Sequence, residues 1–517
     1  MTTPMDVTPP RRVAGRREWY GLAVLALPAL LASLELTVTH LALPTIGRDL
    51  SASSTELLWI VDVYAFLLAG SLITMGVWGD RIGRRRMLLL GAAGYGVASV
   101  AAAYAPTVEL LIVARALMGV AGSTLMPAIL SLVTVMFVDA RQRAVAIGVV
   151  IASVSGGTAV GPLVGGWLLE RFWWGSVFLL GVPVMLVLLV VGPALLPERR
   201  AATGRVDLVS ALLSLGAVLP VVYGLKRIAA DGVHPTSLLA VVAGLAAAVL
   251  FVRRQRGRTD PFLDLGLFAD RRLAVAAATL ALGIFVLWGS NLAIAQYLQL
   301  VQGLSPLAAG MWTAPSAVGV IVGSTLAPRI ARRVDPATVT ATGLALAAVG
   351  YGLLTQVEVG GLAILVTGAV VVSAGLGPMM ALATDMVVGA APPQRAGAAA
   401  AISATAPQLG GAFGIALLGS LITAVYRHDM ATAVPAEAGP EATTAARDNL
   451  TAALAAGDHL PAEVGERLLA AAREAFVHGF RLAAVASAVL MAGTALLVAV
   501  TLRRRAERRR QAFVSAE

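Results

Sequence analysis

Three ionisable residues stand inside long apolar stretches, where a charge is costly and is functional by default: Glu35, Asp62 and Arg115. Counted from the expected outer ends of their stretches, they lie about 12, 8 and 9 Å deep at 1.5 Å per residue, all in the same half of the membrane. A carboxyl group in such a place has a limited chemistry. Burial and a nearby guanidinium pull on its proton affinity in opposite senses, which brings titration within reach of physiological pH. One carboxylate then holds either a proton or a lipophilic cation, and holds both together poorly. That mutual exclusion is the minimum chemistry of antiport. A plainer reading is a buried ion pair of Arg115 with Glu35 that ties two helices together. Gly119 and Gly122 follow Arg115 at i+4 and i+7, so a neighbouring helix can come close to its face.

The elements that position these residues are membrane spans. Of 517 residues, 58% are hydrophobic and 13% charged, against about 45–50% and 25% in soluble proteins. The apolar residues suffice for roughly 15 spans at about 20 residues each, and fourteen apolar stretches of sufficient length follow one another along the chain. The first follows Arg11, Arg12, Arg16 and Arg17 as a signal peptide would. Its apolar run is too long and has no processing site behind it, so it reads as an uncleaved span. With the N-terminus inside, 29 of the 39 basic residues fall on the cytoplasmic side, nine fall outside and Arg115 lies within a span. That is the bias that Lys and Arg impose, and fourteen spans then put both termini in the cytoplasm. The net charge of +10 sits beside apolar runs rather than on a solvated face, so nucleic acid is not a partner. The chain has no cysteine and five histidines without metal-ligand spacing, so neither metal nor cofactor is expected. An integral membrane enzyme needs clustered catalytic side chains at one membrane face. A respiratory-type antiporter subunit needs Lys or Glu at mid-span, and the spans contain no Lys.

Two echoes reveal a repeat. Asp80-Arg81-Ile82-Gly83-Arg84-Arg85 after span 2 returns as Pro328-Arg329-Ile330-Ala331-Arg332-Arg333 after span 10, and Gln142-Arg143-Ala144 before span 5 returns as Gln394-Arg395-Ala396 before span 13. A shift of eight spans on one membrane side means parallel repeats about an axis along the membrane normal. It leaves spans 7 and 8 as an inserted pair. The expected organisation is an N-tail over 1–18, a six-helix bundle over 19–206, the inserted pair over 207–252 and a cytoplasmic linker over 253–272. A second bundle follows over 273–502, with an external loop over 427–476 that reads as a short helical hairpin, and a basic tail closes the chain over 503–517.

Two segments carry motifs. In the loop between spans 2 and 3, Gly76-Val77-Trp78-Gly79-Asp80-Arg81-Ile82-Gly83-Arg84-Arg85-Arg86 sets one acid among four arginines at the cytoplasmic mouth. Such a cluster can latch two halves together, while its glycines permit a tight turn; anchoring by positive charge alone explains the arginines but not Asp80. In span 5, Gly157, Gly161 and Gly165 share one helix face, Gly166 follows, and Pro162 bends the span.

With these two segments the chain resembles the major facilitator superfamily, and within it the fourteen-span drug:proton antiporters that expel quaternary ammonium compounds and dyes. The loop pattern is similar to that superfamily's shared motif, and the span-5 pattern to that of its antiporters. Leu34-Glu35-Leu36-Thr37 running to Ala42-Leu43-Pro44, Leu58-Trp59-Ile60-Val61-Asp62-Val63-Tyr64, Gln299-Leu300-Val301-Gln302-Gly303-Leu304-Ser305-Pro306 and the cytoplasmic Pro261-Phe262-Leu263-Asp264 through Phe268 look like the fourteen-span branch. The resemblance implies an all-α polytopic membrane protein of the major facilitator fold, with two six-helix parallel repeats and an inserted pair, in a bacterial cytoplasmic membrane. It implies a monomer that exchanges protons for small amphipathic drug-like substrates across the lipid bilayer. Glu35 then matches the family's acid in span 1, usually Asp, and Asp62 the acid in span 2. Arg115 matches the arginine of the span-4 motif, where Met118 stands for the usual Gln.

The C-terminal half departs from these relatives. Span 13 reads Ser403-Ala404-Thr405-Ala406-Pro407-Gln408 where several pumps carry acids, and Val320 in span 10 is apolar where some carry Asp. Export of divalent cations is therefore in doubt. Asp385 near the inner end of span 12 is either a site residue or a solvated one. Candidate pocket walls are Trp288, Asn291, Gln296, Gln299, Trp312 and Gln408. His40, five residues after Glu35, reads as an interfacial polar residue rather than a pH sensor. Two functions share these motifs: proton-coupled multidrug efflux, and dedicated export of one endogenous metabolite or antibiotic.

Overall fold

The computed structural model describes residues 14–198, 207–258, 265–390 and 396–514, and all regular structure among them is helical. The expected positions Arg11, Arg12, Arg199, Arg200, Arg205, Arg395 and Pro261 to Asp264 lie outside the described residues.

The first half comprises α1 (Arg16–Asp49), α2 (Ser54–Ile82), α3 (Arg84–Ala103), α4 (Val108–Gly122), α5 (Leu125–Met136), α6 (Ala140–Arg171), α7 (Ser176–Leu179) and α8 (Gly181–Leu195). Helix α2 starts on a reciprocal cap: the Ser53 hydroxyl accepts the Glu56 N–H, and the Glu56 carboxylate accepts the Ser53 N–H at 2.9 Å. A hairpin follows, α9 (Leu208–Asp231) and α10 (Pro235–Arg256). The second half holds α11 (Arg271–Gln296), α12 (Pro306–Ile330), α13 (Pro336–Leu354), α14 (Leu362–Ala390) and α15 (Ala396–Ala433). Two short helices, α16 (Gly439–Asp448) and α17 (Leu450–Gly457), then lead to α18 (Ala462–Val514).

Twelve helical stretches are long and apolar enough to cross a membrane. Helix α6 makes a thirteenth when its two arms, Val145–Thr158 and Val160–Arg171, count as one span bent by 42°. The cause of the bend is local: Pro162 has no N–H to give to the carbonyl of Thr158, four residues back. The apolar part of α9, Val209–Leu225, is shorter. Helices α15 and α18 run past their expected membrane ends, so the external segment narrows to the two short helices between Ala433 and Ala462.

The repeat read from loop echoes is visible in the packing. Helix α1 packs on α6 as α11 packs on α15, α2 on α4 as α12 on α14, and α3 on α8 as α13 on α18. Each half has its own apolar core, one centred on residues such as Leu25, Ile60 and Leu111, the other on Leu344, Leu376 and Met491. The inserted hairpin attaches through α9, which packs on both α2 and α15. There Ala65, Phe66, Val222, Ala412 and Ala416 form a small third cluster.

Candidate functional site

The first site is the group buried in the N-terminal half. Arg115 on α4 is fully buried and its Nη1 is ion-paired with Glu35 on α1. Its Nε donates to the backbone carbonyl of Ile60 on α2 at 3.0 Å. Tyr95 on α3 donates its hydroxyl to the other carboxylate oxygen of Glu35. The guanidinium lies 4.2 Å over the Tyr64 ring and 5.6 Å from the Phe178 ring, both within cation–π range. Four long helices and α7 thus converge on one charge pair. The close approach of α2 depends on Gly119: a Cβ there would stand 2.6 Å from the Tyr64 carbonyl oxygen. Asp62 is wholly buried on α2, two residues beyond Ile60.

The expected pairing of Glu35 with Arg115 is therefore present, with three aromatic neighbours around it. Tyr95 was legible only as a lone hydroxyl between Gly94 and Gly96 in an apolar span; Tyr64 stood out only as the end of the stretch from Leu58 that resembles the family, and Phe178 carried no signal. Arg115 and Tyr95 both hold the Glu35 carboxylate, so a proton arriving there weakens its pull on Arg115.

The second site is a cavity of about 140 Å³ between the halves, lined by α1, α6, α11, α12 and α14. Of the expected wall residues, Asn291 and Trp312 line it, as do Pro162 and Val320. The others stand elsewhere. Gln296 lines a separate space of about 60 Å³ with Ser54, Asp448 and Asn449. Gln299 spends its amide on the Leu41 carbonyl at 3.0 Å. Trp288 packs between the two cores over Gly411. Gln408 is half-buried on α15 and Asp385 exposed near the end of α14; neither lines the cavity. His40 corrects its expectation. It is 3% exposed, not interfacial, and lines the cavity, because Leu41, Leu43 and Ile46 beyond it carry α1 deep into packed protein.

Glycines bring the helices around this cavity together. On α6, Gly157 faces the Leu30 carbonyl, Gly161 faces Thr37, and a Cβ on Gly165 would lie 2.7 Å from Val38 Cγ1. The face read as a close-packing stripe is thus the seat of α1. Gly166 serves the other half, where a Cβ would stand 2.7 Å from the Pro306 carbonyl oxygen. The second half repeats the device: Gly410 and Gly414 face the Ala281 and Phe285 carbonyls of α11.

At the arginine-rich end, Gly83 has φ +111° and the carboxylate of Glu198 fills the space its missing side chain leaves. Arg85 donates to the carbonyls of Pro193 and Leu196, each at 3.1 Å, and stands 3.6 Å from Glu198. These carbonyls close α8, where a cation is favoured. Arg84 is half-buried and Arg81 exposed. Gly76 and Asp80 lie on α2, and the surroundings of both are outside the described residues. Here Arg85 is tied to its own half.

Contacts between the halves gather at the opposite end. Ser305 donates to Glu170 at 2.5 Å, Gly310 lies against Pro162, and Leu58 lies against Gly419. Ser54 at the start of α2 donates its hydroxyl to the Asp448 carbonyl at 2.5 Å, while the Asp448 carboxylate pairs with Arg427. The bundle is closed at that end.

This architecture has known counterparts. The family model described as Major Facilitator Superfamily matches residues 25–415. The multidrug efflux pump LfrA of Mycolicibacterium smegmatis is 43% identical over 506 residues, covering 98% of this chain and 100% of the relative. The methyl viologen resistance protein SmvA of Salmonella typhimurium is 34% identical over 491 residues, covering 92% of this chain and 97% of that one. Among solved structures, a bacterial homolog of the human lysosomal transporter Spinster, inward-facing and unoccupied, superposes with a TM-score of 0.65 at 19% identity, covering 95% and 98% of the two chains. With its paired helical halves and its buried charge pair, the chain belongs to the Major Facilitator Superfamily, as a multi-pass membrane transporter and not an enzyme.

Proposed function

We propose that this protein expels lipophilic compounds, cationic ones foremost, in exchange for protons, by alternating access about the cavity between its halves. The observation that carries the reading is the Glu35–Arg115 pair with its Tyr95 donor, a titratable group buried in one half beside a cavity that the other half completes. The names of the relatives, a multidrug efflux pump and a methyl viologen resistance protein, support efflux. The basic-residue bias assigns the arginine-rich end to the cytoplasm, so the present closed end is the outer one and the cavity awaits cargo from inside. Protonation of Glu35 weakens its hold on Arg115, which couples proton entry to the movement of the halves about the cavity. Asp62 is the second acid of the same half. Each entering proton is driven by about 2.3 kcal/mol per 100 mV and about 1.4 kcal/mol per pH unit. One proton for one monovalent cation is electroneutral, so the pH gradient alone drives it; two protons also draw on the voltage.

A second reading is dedicated export of one endogenous metabolite or antibiotic. It is favoured by a cavity wall that carries no carboxylate among the described residues. Growth protection against many unrelated compounds supports the first reading, and protection against one compound the second. The decisive test reconstitutes the protein in vesicles and adds a lipophilic dye cation. Proton release is expected from the native protein and lost in Glu35→Gln; retention of both proton release and dye transport in Glu35→Gln and Asp62→Asn refutes the site.

A further inference from the structure

The cavity between the halves is lined by apolar, hydroxyl and amide side chains, and His40 is the one ionisable residue on its wall among the described residues. Its neighbours there include Thr37, Asn291, Trp312 and Ser316. The His40 ring is almost wholly buried and its Nε2 has no hydrogen-bond partner. Buried polar nitrogens in native proteins nearly always have one. Glu35, five residues before it, is engaged by Arg115 and Tyr95. The ring forms part of the cavity wall while its unpartnered Nε2 lies behind that wall, so a turn of the ring is what would present the nitrogen to whatever fills the cavity.

We propose that His40 is the polar anchor of the cargo site, and that this site selects flat, lipophilic compounds bearing a hydrogen-bonding group. Ring systems lie against Trp312, whose face also accepts delocalised positive charge, while a cargo amine, hydroxyl or carbonyl completes the His40 imidazole. A wall without carboxylates makes hydrogen bonding, not charge pairing, the source of selectivity within this cavity. The inference rests on the reading that the cavity takes cargo, and it assigns the recognition to a residue distinct from the coupling pair.

Two lipophilic cations separate the contributions: ethidium, which carries aromatic amino groups, and tetraphenylphosphonium, which has no hydrogen-bonding group. Binding is measured on the purified full-length protein in lipid nanodiscs. His40→Leu is expected to weaken ethidium about five- to tenfold, the loss of a single net hydrogen bond, and to leave tetraphenylphosphonium within about twofold. His40→Gln, which keeps a donor and an acceptor, restores ethidium to within about twofold; this rescue shows that the loss is not misfolding. Equal weakening of both cations, or native binding of both by His40→Leu, overturns the anchor. If the native protein binds neither cation, the cargo-site reading falls and takes the anchor with it. Loss of dye-driven proton release in Glu35→Gln with ethidium binding intact leaves the anchor standing.

Discussion

Arg115 and Glu35 form a pair that is either a coupling device or a rivet, and a double substitution separates the two. Arg115→Met keeps the volume of the side chain but leaves the Glu35 carboxylate without its counter-charge in a site where Arg115 is wholly buried. Breaking a buried pair from one side costs about 3–5 kcal/mol, and the Ile60 carbonyl loses its donor as well. The double variant Glu35→Gln with Arg115→Met removes both charges, and the Gln side chain still accepts from Tyr95. Replacing both members of such a pair is often near neutral, so the double variant is expected to recover all but about 1 kcal/mol, the worth of the bond to Ile60. Thermal unfolding in detergent, with size exclusion as the readout, gives the stability order: native near the double, the single variant well below. Transport is then measured in vesicles. A coupling pair gives a stable double variant without proton-driven dye movement. A double variant that regains both stability and native transport would refute the coupling reading and leave a rivet.

Other consequences are checked more simply. Gly165→Leu drives a side chain into Val38 and is expected to lower stability by about 1–3 kcal/mol, with Val38→Ala recovering part of it in the same melting assay. Gly83→Ala is expected to cost about 1–2 kcal/mol from its φ of +111° and to crowd Glu198; adding Glu198→Ala relieves only the crowding. Because the chain has no cysteine, Glu170→Cys with Ser305→Cys is a clean site for a short bis-methanethiosulfonate cross-linker across the closed end, where these two side chains meet. Cross-linking is expected to stop dye transport and reductant to restore it. Asp207 sits at the arginine-rich mouth of α9. Burial raises its pKa, but hydrogen bonds from Ser210 and Arg254 outweigh that and hold it at about 2. Its contribution to closing α9 on α10 is full above the ordinary carboxylate value of 3.8 and is lost as pH falls toward 2. Melting curves of the native protein and Asp207→Asn should differ by no more than about 2 kcal/mol at pH 6 and converge near pH 2.

Much of this molecule is legible in its sequence because a membrane imposes simple rules on composition. Helices, repeat and inserted hairpin follow from apolar run length and from two echoed loops, and the packing of α1 on α6 and of α11 on α15 repeats as those echoes require. Buried charge was equally plain, since Glu35 and Arg115 have no other reason to stand in apolar runs. What the sequence concealed depends on rotation about a helix axis. Asn291, Gln296 and Gln299 all lie within nine residues at and just beyond the end of α11, yet only Asn291 lines the cavity between the halves. His40 was misread for a related reason: its distance from a span end suggested the membrane interface, whereas protein, not lipid headgroups, surrounds the end of α1.

The hairpin of α9 and α10 alters how cargo can approach. Two seams run between the halves, one where α2 meets α15 and one where α6 meets α12. Helix α9 covers the first, with Tyr223 against Trp59 and Val222 in the cluster around Phe66. A greasy molecule dissolved in the leaflet therefore meets a shutter on that flank, and the seam of α6 with α12 has no counterpart to α9 among the described residues.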